Sequence, residues 1–208
     1  MNHLIQECMG FRAETLLVPA FELRVGQAIC LHIPVLPHQD LTEQQVIPVL
    51  AGQVPNSGIR IHGPIRYVQW PTQSRWGLLG FFREVRAVDW LGREAQIHQQ
   101  EAEDILARLG LSVDSKLGRL AGTPRTLLAI EAAWANGAQG LMFTTSGLDP
   151  VGTERVFSHV GRNLDRCAAL YLSTPFTCNG QLDRHHFPGA TCLDISSVLV
   201  PSHLERTG

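Results

Sequence analysis

The chain has 208 residues, 44% apolar and 17% charged, with a net charge of −2 at pH 7. That length suits one domain, or one domain with a small lobe, and folding it buries about 70% of the surface an unfolded chain exposes. The charge balance excludes nucleic acid as the main partner, because neutralising phosphates takes a basic excess, and no run of ~18 apolar residues is present to span a membrane.

The start, MNHLIQECMGF, lacks the basic-then-apolar pattern of a secretion signal. Five cysteines without a Cys-x-x-Cys pair suit free thiols in a reducing cytoplasm. AICLHI, residues 28–33, reads as a buried strand, followed by a loop with Pro34 and Pro37. DLTEQQVIPVLAG, residues 40–52, predicts a helix with an acidic N-cap and a glycine stop, kinked where Pro48 removes a hydrogen bond. GIRIHGPIRYVQW, residues 58–70, predicts two short strands around a turn at His62, Gly63 and Pro64.

HQQEAEDILARLG, residues 98–110, is an amphipathic helix closed by Gly110. TPRTLLAIEAAWANG, residues 123–137, predicts a helix with Thr123 as N-cap, Pro124 at the first helical position and Gly137 at the end. GLMFT, residues 140–144, is a short apolar strand. Asp149 and Pro150 then start a helix reaching about Asn163, and AALYLST, residues 168–174, is another buried strand. Strands alternating with helices predict an α/β fold with a mainly parallel sheet. The tail CNGQLDRHHFPGATC holds Cys178, His185, His186 and Cys192. Its spacings fit no structural zinc pattern, so it reads as a solvated loop that binds no metal.

The order of these pieces resembles the ATP-binding subunit of ABC transporters. FELRVGQAICLHIP is similar to the strand pair that leads into the phosphate loop, and VLAGQVPNSGIRIHG to the end of the first helix and the next strand. LAGTPRTLLAIEAAWANG resembles the family signature and its helix, SGLDPVGTERVFSHV the D-loop and the helix after it, and LYLSTPF the strand ending in the switch histidine. The likeness runs from about residue 21 to residue 176. It implies one domain over residues 1–208 with the P-loop NTPase-like ABC ATPase fold: a mainly parallel core sheet, a small antiparallel β part, and a helical lobe at about residues 75–135.

Within that frame the catalytic chemistry is missing. A phosphate loop needs glycines that turn backbone N–H groups to the phosphates, a lysine, and a Ser or Thr for magnesium. Here the lysine position falls on Glu43, the next two on Gln44 and Gln45, and the loop PVLPHQDLT has no glycine. Asp40 and Glu43 have capping-box spacing, which would occupy the N–H groups that otherwise serve a phosphate. The family's Asp-Glu-Pro falls on Met142, Phe143 and Thr144, and the switch histidine on Pro175. Of the signature, LAGTP at residues 120–124 keeps Gly122, with Arg125 after it, and loses the serine hydroxyl, a glycine and the glutamine. The D-loop is intact at Ser146, Gly147, Leu148 and Asp149.

The resemblance therefore implies a non-catalytic subunit, a pseudo-ATPase, of an ABC-type membrane transporter complex. It would form a heterodimer with a competent ATPase chain through Ser146, Gly147, Leu148 and Asp149. ATP and magnesium would sit in the partner's site, facing Ala121, Gly122 and Thr123, with none in this chain's own loop. A transmembrane subunit would dock on Gln69, Trp70, Trp76, Phe81 and Phe82, though the four aromatic rings could equally line the lobe's core. The chain would be cytoplasmic and peripheral on the inner face of the membrane. Two other readings stand beside this one: a soluble scaffold or regulatory protein with a borrowed fold, and an active ATPase. The absence of Lys or Arg between Gly26 and Ile59 weighs against the last. SGLDP could also be only a strand-to-helix turn capped by Asp149. Phe11 reads as core rather than as an adenine-stacking ring.

Overall fold

A computed structural model describes residues 3–34, 42–68, 71, 84–178 and 181–197. The chain opens with an antiparallel hairpin, β1 (Leu4–Ala13) and β2 (Leu16–Arg24), followed by β3 (Ala28–His32). A π-wound turn at Thr42–Val46 runs into the single-turn helix α1 (Ile47–Leu50). The strands β4 (Ile59–Ile61) and β5 (Ile65–Tyr67) precede three helices, α2 (Ala87–Ala95), α3 (Gln99–Leu109) and α4 (Gly122–Ala135). The rest of the chain gives β6 (Gly140–Phe143), α5 (Pro150–Gly161), β7 (Ala168–Ser173), β8 (Pro175–Cys178), β9 (Gln181–Arg184), β10 (Thr191–Asp194) and β11 (Ser196–Ser197).

These strands build a five-stranded parallel sheet in the order β10-β3-β7-β6-β5 and a four-stranded antiparallel sheet in the order β11-β2-β1-β4. β8 and β9 form a separate hairpin. β6 and β7 are buried along their whole length. That is why they read as unbroken apolar runs: a parallel strand covered on both faces has no polar side to show. β4 and β5 flank the predicted turn, but they enter different sheets, β4 against β1 and β5 against β6.

Two apolar clusters sandwich the parallel sheet. On one face Leu141, Phe143 and Tyr171 pack with Leu91, Leu106, Leu128 and Phe157 of the helices. On the other face Leu31, Met142 and Leu172 pack with Leu16 and Leu23 of the hairpin and with Leu50. Each such side chain contributes roughly 1.5–3 kcal/mol when fully buried. The lobe helices α2 and α3 share the cluster that covers the sheet. Phe11 is a core residue of the second cluster.

The predicted 40–52 helix is corrected in two respects. Its first part is the π-wound turn, and Pro48 sits in the first turn of α1, where a missing N–H costs little. Gln6 donates from Nε2 to the Leu50 carbonyl at 2.7 Å and anchors the end of that turn. The reading of the tail as a solvated loop is also corrected: β10 extends the core sheet and β11 extends the other one. The cap assignment on α4 shifts by two residues. Ala121 is the N-cap, with no side-chain bond, and Pro124 is the third helical residue rather than the first.

Candidate functional site

β6 ends at Phe143, and the chain turns through residues 144–149 into α5. The turn is held from within. Thr145 is buried and shares a 2.8 Å hydrogen bond with the Tyr171 hydroxyl, while Ser146 N donates to Thr144 Oγ1 at 3.1 Å and Leu148 N donates to the Thr145 carbonyl at 3.0 Å. Gly147 has φ +80°, in the left-handed region that glycine enters without cost. Asp149 caps α5, its Oδ1 accepting from Gly152 N at 2.7 Å. Ser146, Gly147, Asp149 and Pro150 remain exposed, and beside them Val151 is 76% exposed.

The start of α4 stands against the first turn of α5. Arg125 reaches back from Nη2 to the Gly118 carbonyl at 2.7 Å, fixing the entry of the helix. Thr123 lies on the open side of Gly152, where an added β-carbon would overlap its hydroxyl. Thr123 is thus set against the first turn of α5, which directly follows the turn carrying Ser146, Gly147, Leu148 and Asp149. Ala121 is exposed, and the first N–H groups of α4 have no side-chain cap.

The positions onto which the resemblance maps the family's acids are occupied by core residues. Met142 and Phe143 are fully buried on opposite faces of the sheet. Phe143 stacks at a tilt on Tyr171, centroids 5.4 Å apart, and edge-on to Phe187 at 6.2 Å. Burial pushes the Tyr171 phenol up to about 12, against the opposing hydrogen bond from Thr145. Pro175 opens β8, opposite Arg184 of β9. Glu43 is the second residue of the π-wound turn. α1, with four residues, is too short to develop a useful dipole end. Asp40, Gln69, Trp70, Trp76, Phe81 and Phe82 lie outside the described residues, and the capping-box and membrane-docking expectations lie there with them.

Sequence reasoning missed two side-chain clusters. Glu131 of α4 accepts from His159 Nε2 of α5 at 2.9 Å and from Arg108 Nη2 of α3 at 3.4 Å, tying three helices together. At the sheet edge, β10 sets Cys192 beside Cys30 and Asp194 beside His32. Burial, and then the neighbouring Cys192, push the Cys30 thiol up to about 12. The spacing argument treated Cys178, His185, His186 and Cys192 by themselves. The available signal was a matching alternation, Cys30-x-His32 and Cys192-x-Asp194, on two strands that pair in register.

No protein-family profile matches the chain, and no curated protein matches it. Solved structures do. A metal-chelate type ABC transporter in an inward-facing conformation is 16% identical, with a TM-score of 0.63 over 91% of this chain and 85% of that one. An ATP-binding ABC transporter protein from Pyrococcus furiosus is 14% identical, with a TM-score of 0.63 over 92% of this chain and 96% of that one. The protein cbiO1 from Clostridium perfringens, part of the ABC transporter complex cbiONQ, is 12% identical, with a TM-score of 0.59 over 88% of each chain. The chain has the fold of the ATP-binding cassette domains of ABC transporters. Likeness at this level of identity carries the fold alone, and function rests on the site.

Proposed function

We propose that this chain is a non-catalytic subunit of an ABC-type membrane transporter complex. It would pair with a competent ATPase chain and dock on a membrane-spanning subunit from the cytoplasmic side. The observation that carries this reading is a division within one cassette fold. Where the acids would act stand the core residues Met142 and Phe143, while Ser146, Gly147 and Asp149 stay exposed in a capped turn that leads into α5, whose first turn packs on Thr123 of α4. Among the described residues no helix is long and apolar enough to cross a membrane, so attachment would come through a partner.

In a head-to-tail pair the partner's phosphate loop would face Ala121, Gly122 and Thr123 together with Ser146, Gly147, Leu148 and Asp149. The N–H of Gly122, at the start of a 14-residue helix, would point a positive dipole end at the terminal phosphate. Ala121 brings no hydroxyl, which costs that site on the order of 1.5–3 kcal/mol for one charge-assisted hydrogen bond. Exposed Val151 and Pro150 offer an apolar ledge beside Asp149 for the same contact.

The test is to purify the chain from its native membranes and to measure ATP–Mg binding by calorimetry on the chain alone. The expected result is a complex holding an ATPase with a complete phosphate loop and a membrane-spanning chain, and no measurable heat from the isolated chain. Micromolar binding by the isolated chain would overturn the non-catalytic reading. A chain that purifies alone from the soluble fraction would replace the transporter role with that of a scaffold.

A further inference from the structure

The edge of the parallel sheet carries a set of donor atoms with no assigned role. Strand alternation turns Cys30 and His32 to one face of β3, and the register of β10 brings Cys192 and Asp194 alongside them. The Cys30 and Cys192 sulfurs and a ring nitrogen of His32 all lie within 4.8 Å of one another. Donors around a tetrahedral zinc ion stand about 3.3–3.8 Å apart, given Zn–S of ~2.3 Å and Zn–N of ~2.0–2.1 Å. Rotamer adjustments of about 1 Å would close the set.

Two observations select a metal over a chance meeting of thiols. His32 Nδ1 lies 3.1 Å from Asp194 Oδ1, so a neutral ring that donates its Nδ1–H to the carboxylate keeps the lone pair on Nε2. Nε2 is buried without a hydrogen-bond partner. A buried acceptor with nothing to accept is unfavourable, whereas a carboxylate–histidine pair that leaves the other nitrogen free is the usual support of a metal-binding imidazole. Second, the exposed ring of His186 stands edge-on to His32 with centroids 5.2 Å apart. Two imidazoles bound at a tetrahedral angle to one ion have centroids about 5 Å apart.

We propose that Cys30, His32 and Cys192 bind one zinc ion, with Asp194 orienting His32 and with the exposed His186, whose nitrogens lie outside the 4.8 Å set, swinging in as the fourth donor. Two sulfur and two nitrogen donors suit a borderline-soft tetrahedral ion. Binding releases the two thiol protons as both sulfurs become thiolates. The ion would clip β10 and the 185–190 segment onto β3, a structural role within the fold.

The test uses the full-length chain without an affinity tag, stripped with a chelator under reductant and titrated with zinc alone. One zinc per chain should bind, and cobalt in its place should give a thiolate-to-metal charge-transfer band and the strong visible absorption of a tetrahedral ion. Cys192→Ser and His186→Ala, both at exposed positions and expected to fold, should each weaken zinc binding at least tenfold. Asp194→Asn should weaken it about tenfold to a hundredfold, and His185→Ala should leave it unchanged. The proposal fails if zinc does not bind stoichiometrically, or if the Cys192→Ser and His186→Ala variants bind it as the parent does. It also fails if His185→Ala weakens binding as much as His186→Ala, or if thiol counting shows that Cys30 and Cys192 form a disulfide that reductant opens without restoring zinc uptake.

Discussion

Thr123 of α4 and Gly152 of α5 meet so closely that a β-carbon on Gly152 would overlap the threonine hydroxyl. This contact packs the start of α4 against the first turn of α5, and it makes Gly152 a packing requirement rather than a conformational one. Gly152→Ala should destabilise the chain by about 1–3 kcal/mol, as overpacking does. Adding Thr123→Ala should restore most of that loss. Urea unfolding of the two single variants and the double variant measures the coupling. Additive effects would mean that the clash is relieved elsewhere.

Asp149 caps α5, and in the proposed complex it would also face the partner. As an N-cap, its replacement by alanine should cost about 0.5–2 kcal/mol in the isolated chain, whereas Asp149→Asn, which can still cap, should cost close to nothing. Against an ATPase partner, both variants should loosen the pair or slow its ATP turnover, because both lose the charge. Glu43→Ala should change neither. Assembly and turnover that follow only the capping loss would reduce the turn to a structural element.

Glu131 links stability to pH. Burial opposes its ionisation, but the hydrogen bond and charge of His159, and then Arg108, outweigh that and hold the carboxyl below its usual range. The folded value is the lower one. The stabilisation is therefore complete above the unfolded carboxylate value of about 4.3 and is lost as pH falls through the folded value. Glu131→Gln should lower stability at neutral pH by roughly 1–3 kcal/mol, with the gap from the parent closing in acid. Unfolding curves across a pH series check this, and a gap of constant size would assign the loss to packing.

The strands at the centre of the sheet were readable because burial on both faces leaves an unbroken apolar run, as in AALYLS and GLMF. The α5 start was readable because Asp149 and Pro150 act locally. The same local logic misplaced the α4 start. Thr123 has the chemistry of a cap, but its side chain is used against Gly152, and the helix begins earlier at Gly122. β10 was illegible for a different reason. TCLD is mostly exposed and four residues long, and only its pairing with β3 makes it a strand. The winding of residues 42–46 is likewise not written in propensity. Of the candidate site, the exposed turn at residues 146–149 came from motif order. The packing of Thr123 on the first turn of α5 and the grouping of Cys30, His32 and Cys192 needed three dimensions.

Residues 191–197 cross from one sheet to the other. β10 completes the parallel sheet beside β3, Ile195 is buried with its N–H on the His32 carbonyl, and β11 pairs with Leu16 and Leu17 of β2. His32 and Asp194 are 162 residues apart in the chain. During synthesis, at about 5–20 residues per second, β2 and β3 would each keep an unpaired edge for on the order of ten seconds or more. Such edges recruit other strands. A nascent chain halted before residue 191 would therefore leave the borders of β2 and β3 open, and this seven-residue crossing is the step that covers both at once.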